Sequence, residues 1–386
     1  MFTQSKAIVL VLLFFSFCSY AEYFDLSNRG KNLKKHKSGE IIVKFNKSYH
    51  DTSRIQMAEQ MASKVHKRFG QNNEYYIIKL KAGQTVEQAV ANFKSDPNVE
   101  IAEPNYIIRA AAVPNDTDYG EQWGLNNTGQ SVNGIPGTSG SDIGVESAWD
   151  TITDCNSVTV AILDTGVNYT HSDLSANIWN NAGETANGAD SDGNGFIDDV
   201  RGWDFISNDN TPYPDAGHES HGTHVAGIVG ARGNNNVGTT GICWQVKLMP
   251  LRILNGSGIG STSDLALAIN YAVSNGAKVI NLSLDSTGNS SAVNTAINNA
   301  NANGVVIVTA AGNDNLDVEI TASYPCRNTQ ANIICVAALD QNFAKASFSS
   351  FGATSVDVGA PGRNIKSSYP GTVFPGTGWT IGGGWM

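Results

Sequence analysis

The run His218-Glu219-Ser220-His221-Gly222-Thr223-His224-Val225-Ala226-Gly227 gathers three histidines within seven residues. Two chemistries use imidazoles so closely spaced. A helical zinc site needs H-E-x-x-H, which sets two rings on one helix face, whereas this run reads H-E-x-H. Proton transfer needs only one ring, held at an accessible position. The small residues after His221 let a helix pack closely and present that ring at its N-terminal end. His224 reads as a core histidine. A second cluster, Asp190-Ser191-Asp192-Gly193-Asn194-Gly195-Phe196-Ile197-Asp198-Asp199, offers oxygens at loop positions 1, 3, 5 and 9 with glycine at 6. That is the opening of an EF-hand-like calcium loop, although Arg201 stands where a bidentate glutamate would close it, leaving Asp199 to compensate. An unliganded acidic turn is the alternative.

Positioning such groups is the work of the surrounding elements. Val158–Leu163 and Ala277–Leu282 are near-continuous apolar strands, as is Val305–Thr309, and helical patterns cover 263–275 and 290–303. Apolar strands alternating with helices predict a parallel α/β sheet covered by helices on both faces. Ligands of such sheets bind outside the carboxyl ends of the strands. Those ends carry Asp164, Ser283 and the run Ala310-Ala311-Gly312-Asn313, so one crevice is expected to collect them.

Charge divides the chain. Residues 22–113 carry a net charge of +5 and 114–386 a net −16, within a total of −10 over 386 residues. A chain this acidic is not expected to bind nucleic acid. Opposite signs favour docking of the basic module on the acidic one. The basic module reads as a strand at 40–45, a helix at 52–66, a strand at 75–80, a helix from the capping box Thr85/Gln88 to about Lys94, and a strand at 99–108. That order fits a small α+β domain of ferredoxin-like kind. Ahead of it, Lys6, the apolar run Ala7–Phe15 and Ser19-Tyr20-Ala21 read as a signal peptide over 1–21, cut after Ala21. The expected product is secreted, extracellular, monomeric and free of the membrane. Export permits disulfides. Of the three ways to pair Cys155, Cys243, Cys326 and Cys335, Cys326–Cys335 is favoured by proximity, leaving Cys155–Cys243; a zinc site would need a C-x₂-C spacing that is missing.

Several of these runs resemble the motifs of subtilisin-like serine peptidases. Ala161-Ile162-Leu163-Asp164-Thr165-Gly166-Val167 with His171-Ser172-Asp173-Leu174 is similar to the family's aspartate motif, and His221–Gly227 to its histidine motif. Asn281-Leu282-Ser283-Leu284 resembles the substrate strand, Ala310–Asn313 the strand ending in the oxyanion asparagine, and Gly359-Ala360-Pro361-Gly362 the run before the nucleophile segment. The basic module resembles the family's inhibitory propeptide. The resemblance implies a secreted endopeptidase precursor acting on proteins and peptides, with a propeptide at 22–113 and a peptidase domain at 114–386.

It also implies roles. His221 would be the base, Asp164 the group that orients it, and Asn313 the donor to the oxyanion. Gly256, Ser257, Gly258, Ser283, Leu284, Ala310, Ala311 and Gly312 would pair with or border an extended peptide. Asp285 stands where the family usually has glycine. A second calcium site would use Asp173 and the loop 234–238. The family's serine lies in a G-T-S-M-A-x-P-H-V-A-G segment, which these 386 residues do not contain. The expectation is therefore a peptidase domain incomplete at its C-terminus, inactive as it stands. A catalytically dead peptide-binding or decoy protein is the alternative.

Overall fold

The computed structural model describes residues 36–369 except 48–49, 63, 108–111 and 214–219. The export segment, His218, Glu219, the first part of the 110–113 stretch where the propeptide is expected to be cut, and everything beyond Tyr369 lie outside the described residues. The chain divides into two compact units, one within 22–110 and one from 111 onward.

The first unit runs β1 (His36–Phe45), α1 (Asp51–Met61), β2 (Lys64–Phe69), β3 (Tyr75–Lys79), α2 (Val86–Lys94) and β4 (Val99–Tyr106). Its antiparallel sheet has the order β2-β3-β1-β4. Alternate residues Ile41, Val43 and Phe45 point inward with Tyr76 and Ile78, and the helices cover them with Ala58, Ala89 and Phe93. The Thr85/Gln88 capping box forms, each side chain meeting the other residue's backbone N–H. One element departs from the sequence reading: the helix expected to reach His66 ends at Met61, and Lys64–Phe69 is a strand. A register shift between Val65 and Lys67 breaks the two-residue period there, so the strand carried no alternation to read. The resulting β-α-β-β-α-β order is the ferredoxin-like arrangement.

The second unit opens with a short hairpin, β5 (Ser131–Val132) and β6 (Ile135–Pro136), and α3 (Val145–Trp149). Its main elements are β7 (Asp154–Asp164), β8 (Trp203–Asp204), α4 (Ser220–Gly230), β9 (Gln245–Arg252), α5 (Thr262–Ser274), β10 (Val279–Leu282), α6 (Ser291–Ala302), β11 (Val306–Ala310), β12 (Ile333–Leu339) and β13 (Val358–Pro361). The strands form one parallel sheet in the order β13-β12-β11-β10-β7-β9-β8. Both faces are buried, which is why its strands read as unbroken apolar runs. Ala161 and Leu163 face α5 and α6 through Ile269, Ala272 and Ile297, while Val160 and Ile162 face α4 through Val225 and Ala226. Ser261 and Ser290 cap α5 and α6, each accepting a backbone N–H three residues on. β9 escaped the sequence reading because Pro250 sits in its middle and argues against a central strand.

Cys155 is bonded to Cys243 across 88 residues, and Cys326 to Cys335 across 9, with Cα separations of 5.9 and 5.0 Å. The first ties the start of β7 to the segment entering β9. Replacing Cys155 and Cys243 together by alanine should lower the unfolding free energy by about 2–4 kcal/mol, because a long loop is released in the unfolded chain. Urea denaturation under conditions that keep Cys326–Cys335 intact measures it, and an unchanged midpoint would contradict the expectation.

Candidate active site

β7, β10 and β11 are parallel neighbours, so their last residues open on one edge. Asp164 ends β7, Ser283 and Leu284 follow β10, and Ala311, Gly312 and Asn313 follow β11, which ends at Ala310. On the other side of β7, β9 runs into a turn holding Gly256, Ser257 and Gly258, closed by a bridge between Leu254 and Gly260. The two expected peptide-pairing segments, 256–258 and 283–284, thus follow the strands on either side of β7.

His221 stands in the first turn of α4. Its Nδ1 is 2.6 Å from Asp164 Oδ1. An ionised carboxylate only accepts, so Nδ1–H donates and Nε2 is the basic nitrogen. The Thr165 N–H donates to the same oxygen at 2.7 Å, while Asp164 Oδ2 has no hydrogen-bond partner among the described residues and the residue is fully buried. Such a charge is tolerated only when paired. The approach of α4 depends on Gly222. Its N–H donates to Thr165 Oγ1 at 3.1 Å, and a Cβ there would fall 2.3 Å from the Gly166 carbonyl oxygen. Burial by itself would depress the His221 imidazole; the charge of Asp164 and its hydrogen bond outweigh that and hold the pKa above the usual 6.5.

Arg252 braces the same turn. Its Nε donates to Thr165 O at 3.2 Å, and its Nη1 meets Asp204 Oδ2 at 2.7 Å, both side chains being buried. Sequence reading missed this pair, since an Arg and an Asp 48 residues apart carry no local signal. His224 is a core residue as expected of a ring on the buried side of α4. Its Nε2 donates to Ile365 O at 3.0 Å, and burial pushes its pKa down to about 4. Ser367 Oγ donates to His224 O at 2.7 Å, and Ser368 is buried 3.4 Å from Thr239 Oγ1. Both hydroxyls are therefore packed beneath α4.

The calcium ligands assemble differently from their spacing. Carboxylate oxygens of Glu184, Asp192 and Asp199 lie within 4.8 Å of one another, the one such acidic group among the described residues. Asn194 donates its amide to Asp192 and Asp199, and Asn181 to the same two residues. Asp190 instead folds its own loop, accepting the N–H groups of Gly193, Asn194 and Gly195, while Asp198 accepts from Asn187 and Gly188. Glu184 precedes the loop and has no place in its template, so spacing could not reveal it. At the second expected site, Asp173 does meet the 234–238 loop, accepting from Asn235 Nδ2 at 2.9 Å and from Thr239 N at 3.0 Å. Burial, aided by the charge of Asp116, pushes Asp173 up to about 6. Asp116 was not foreseen; its Oδ2 accepts from Asn234 N, and its Oδ1 is buried without a partner.

A buried carboxylate orienting a histidine at the carboxyl edge of a parallel sheet is an arrangement that activates a hydroxyl nucleophile, the device of serine hydrolases. The chain belongs to the subtilase family, whose profile matches residues 156–382. That family is one of serine endopeptidases. A second profile, the fervidolysin N-terminal prodomain, matches residues 26–105. The chain is 34% identical to the thermophilic serine proteinase of Bacillus sp. (strain AK1), over 87% of this chain and 72% of that protein. It is 37% identical to the extracellular protease of Xanthomonas campestris pv. campestris, over 75% and 50%, and 39% identical to thermitase of Thermoactinomyces vulgaris, over 59% and 70%. It thus spans from half to about seven tenths of the length of these relatives. Among solved structures, proteases from Pseudoalteromonas arctica PAMC 21717 align at 32% identity over 68% of this chain and 80% of that chain, with a TM-score of 0.48.

Replacing Asp164 by asparagine removes what holds the His221 pKa up and leaves burial unopposed. The imidazole should then titrate below the usual 6.5, where in the unchanged protein it titrates above it. Because the folded value is raised, His221 contributes stability fully below the unfolded value near 6.5 and loses it as pH rises through the folded value. Histidine NMR titrations of both proteins test this; an unchanged His221 curve in the variant would refute it.

Proposed function

We propose that this chain is the precursor of a secreted serine endopeptidase that hydrolyses peptide bonds in proteins. In this reading His221 is the general base, Asp164 fixes its tautomer and stabilises the imidazolium, and Asn313 donates to the oxyanion. The observation that carries it is the 2.6 Å pairing of His221 with a fully buried carboxylate. An extended substrate would add main-chain hydrogen bonds to Gly256-Ser257-Gly258 and Ser283-Leu284, with Ala310, Ala311 and Gly312 alongside. Residues 1–21 would direct export, and 22–113 would be the propeptide, cut near 110–113. The extracellular protease among the relatives supports export, and no helix among the described residues is long and apolar enough to cross a membrane.

His221 needs a hydroxyl partner, and the 386 residues contain no G-T-S-M-A segment to supply it. Ser367 and Ser368 do not substitute, since their hydroxyls are engaged with His224 O and near Thr239. A polypeptide of these residues alone should therefore resist labelling by a fluorophosphonate, a reagent that captures activated serines. Stoichiometric labelling that is lost in His221→Ala would overturn this.

Calcium is the ion the acidic cluster suits. Three carboxylates converge with only amide N–H groups and the Tyr271 hydroxyl to offset their charge, a hard-oxygen set matched to a divalent cation. Glu184, Asp192 and Asp199 would hold it, and it would tie the 181–199 loop to α5 through the Tyr271 hydroxyl on Asp199. At a hundredfold excess over Kd, calcium should add about 2.7 kcal/mol to stability, raising Tm by about 5–10 °C for a domain of this size. Asp199→Asn should lose most of that gain. Thermal unfolding with and without chelator reads it, and identical Tm values would exclude the site.

A further inference from the structure

Asp285 comes directly after Ser283-Leu284, and Asp314 directly after Asn313. In the proposed reading, the first segment pairs with the peptide and Asn313 meets the carbonyl that is attacked. The side chain of the residue supplying that carbonyl must therefore emerge between Leu284–Asp285 and Gly312–Asp314. The structure draws these segments together: Asp285 Oδ2 lies 3.1 Å from where a Cβ on Gly312 would stand. Surrounding protein raises the pKa of the Asp285 carboxyl, and the negative charge of Asp314 adds to it, so the two acids act on one another. Both are open to solvent, and among the described residues neither has an ion-pair partner. A third segment adjoins them through the Ser286–Tyr324 bridge, with backbone hydrogen bonds of 2.9 and 2.8 Å. On it, Ser323 is buried, 6% exposed, and among the described residues its hydroxyl has no hydrogen-bond partner.

We infer that Asp285 and Asp314 form an acidic specificity subsite that selects a lysine or arginine side chain in the peptide substrate. Two uncompensated carboxylates beside one backbone position repel acidic guests and leave neutral ones unrewarded. An ammonium or guanidinium entering beside Asp285 would be attracted by both charges, an attraction that should weaken as ionic strength rises. Ser323 adds an unsatisfied hydroxyl on the adjoining segment. Asp285 is the determining residue, since its side chain fills the space over Gly312; Asp314 supplies the second charge.

The inference rests on the peptide-cleft reading, and the experiment separates the two. Fluorescein-labelled hexapeptides differing in one residue (lysine, the uncharged near-isostere norleucine, or glutamate), scanned through every position, are titrated by anisotropy into the full chain. At one position lysine should bind about tenfold tighter than norleucine, as expected for a cation meeting two carboxylates. Asp285→Asn should remove most of that preference and Asp314→Asn part of it, while the thermal unfolding midpoints of both variants stay at that of the unchanged chain, which shows that they remain folded. Equal binding of lysine and norleucine at all positions, or a preference that survives in both variants, overturns the inference and leaves the cleft reading intact. Binding of none of the peptides overturns the cleft reading and the inference with it.

Discussion

Burying the charge of Asp164 at the end of the central strand β7 is the constraint on which the rest of the second unit depends. A lone carboxylate in that place would cost several kcal/mol or take up a proton. Three neighbours hold it in place: the Thr165 N–H, the His221 imidazole, and a backbone turn braced by Arg252. Each needs its own support. Arg252 is itself a buried charge and is paired to Asp204, which accepts the N–H groups of Ile206 and Ser207. His221 reaches Asp164 only because Gly222 lets α4 come against the Gly166 carbonyl. His221 is thus the outer end of a chain of linked buried polar groups.

The parallel sheet makes this arrangement usable. All of its strands end on one edge, so residues distant in sequence arrive together: Asp164, the 256–258 turn, Ser283-Leu284 and Gly312-Asn313. Packing on both faces fixes β7 laterally, with the α5–α6 layer on Ala161 and Leu163 and α4 on Val160 and Ile162. A shift of either layer would move the imidazole against the strand ends, so core packing and site geometry are one property. The same convergence brings Asp285 against Gly312, its Oδ2 3.1 Å from where a Cβ there would stand, without any local motif linking them.

Much of the machinery was legible from residue order alone. Apolar runs of five or six residues between helical patterns specified a two-sided parallel sheet, because only strands buried on both faces read that way. Asp164 and His221 were legible because each sits in a distinctive local run, and a capping box is a local signal, so Thr85 and Gln88 marked a helix start that formed. Where local signals failed, a tertiary partner was the cause. Val65–Phe69 became a strand because β3 offered it an edge across a bulge, and β9 formed despite Pro250 because β7 holds it on one side.

The sequence by itself determined the two modules, the class of sheet, the local runs that carry Asp164 and His221, and the four cysteines to be paired, since each is written in contiguous residues or in composition. Tertiary structure alone decided which oxygens share one place. It set Glu184 beside Asp192 and Asp199 while turning Asp190 and Asp198 to their own backbone, put Arg252 under the Asp164 turn, and drew Asp285 against Gly312. The physical reason is that a carboxylate serves equally well as a ligand, a loop staple or a member of an ion pair. Residue type and spacing leave that choice open; the fold makes it by deciding which donor is nearest.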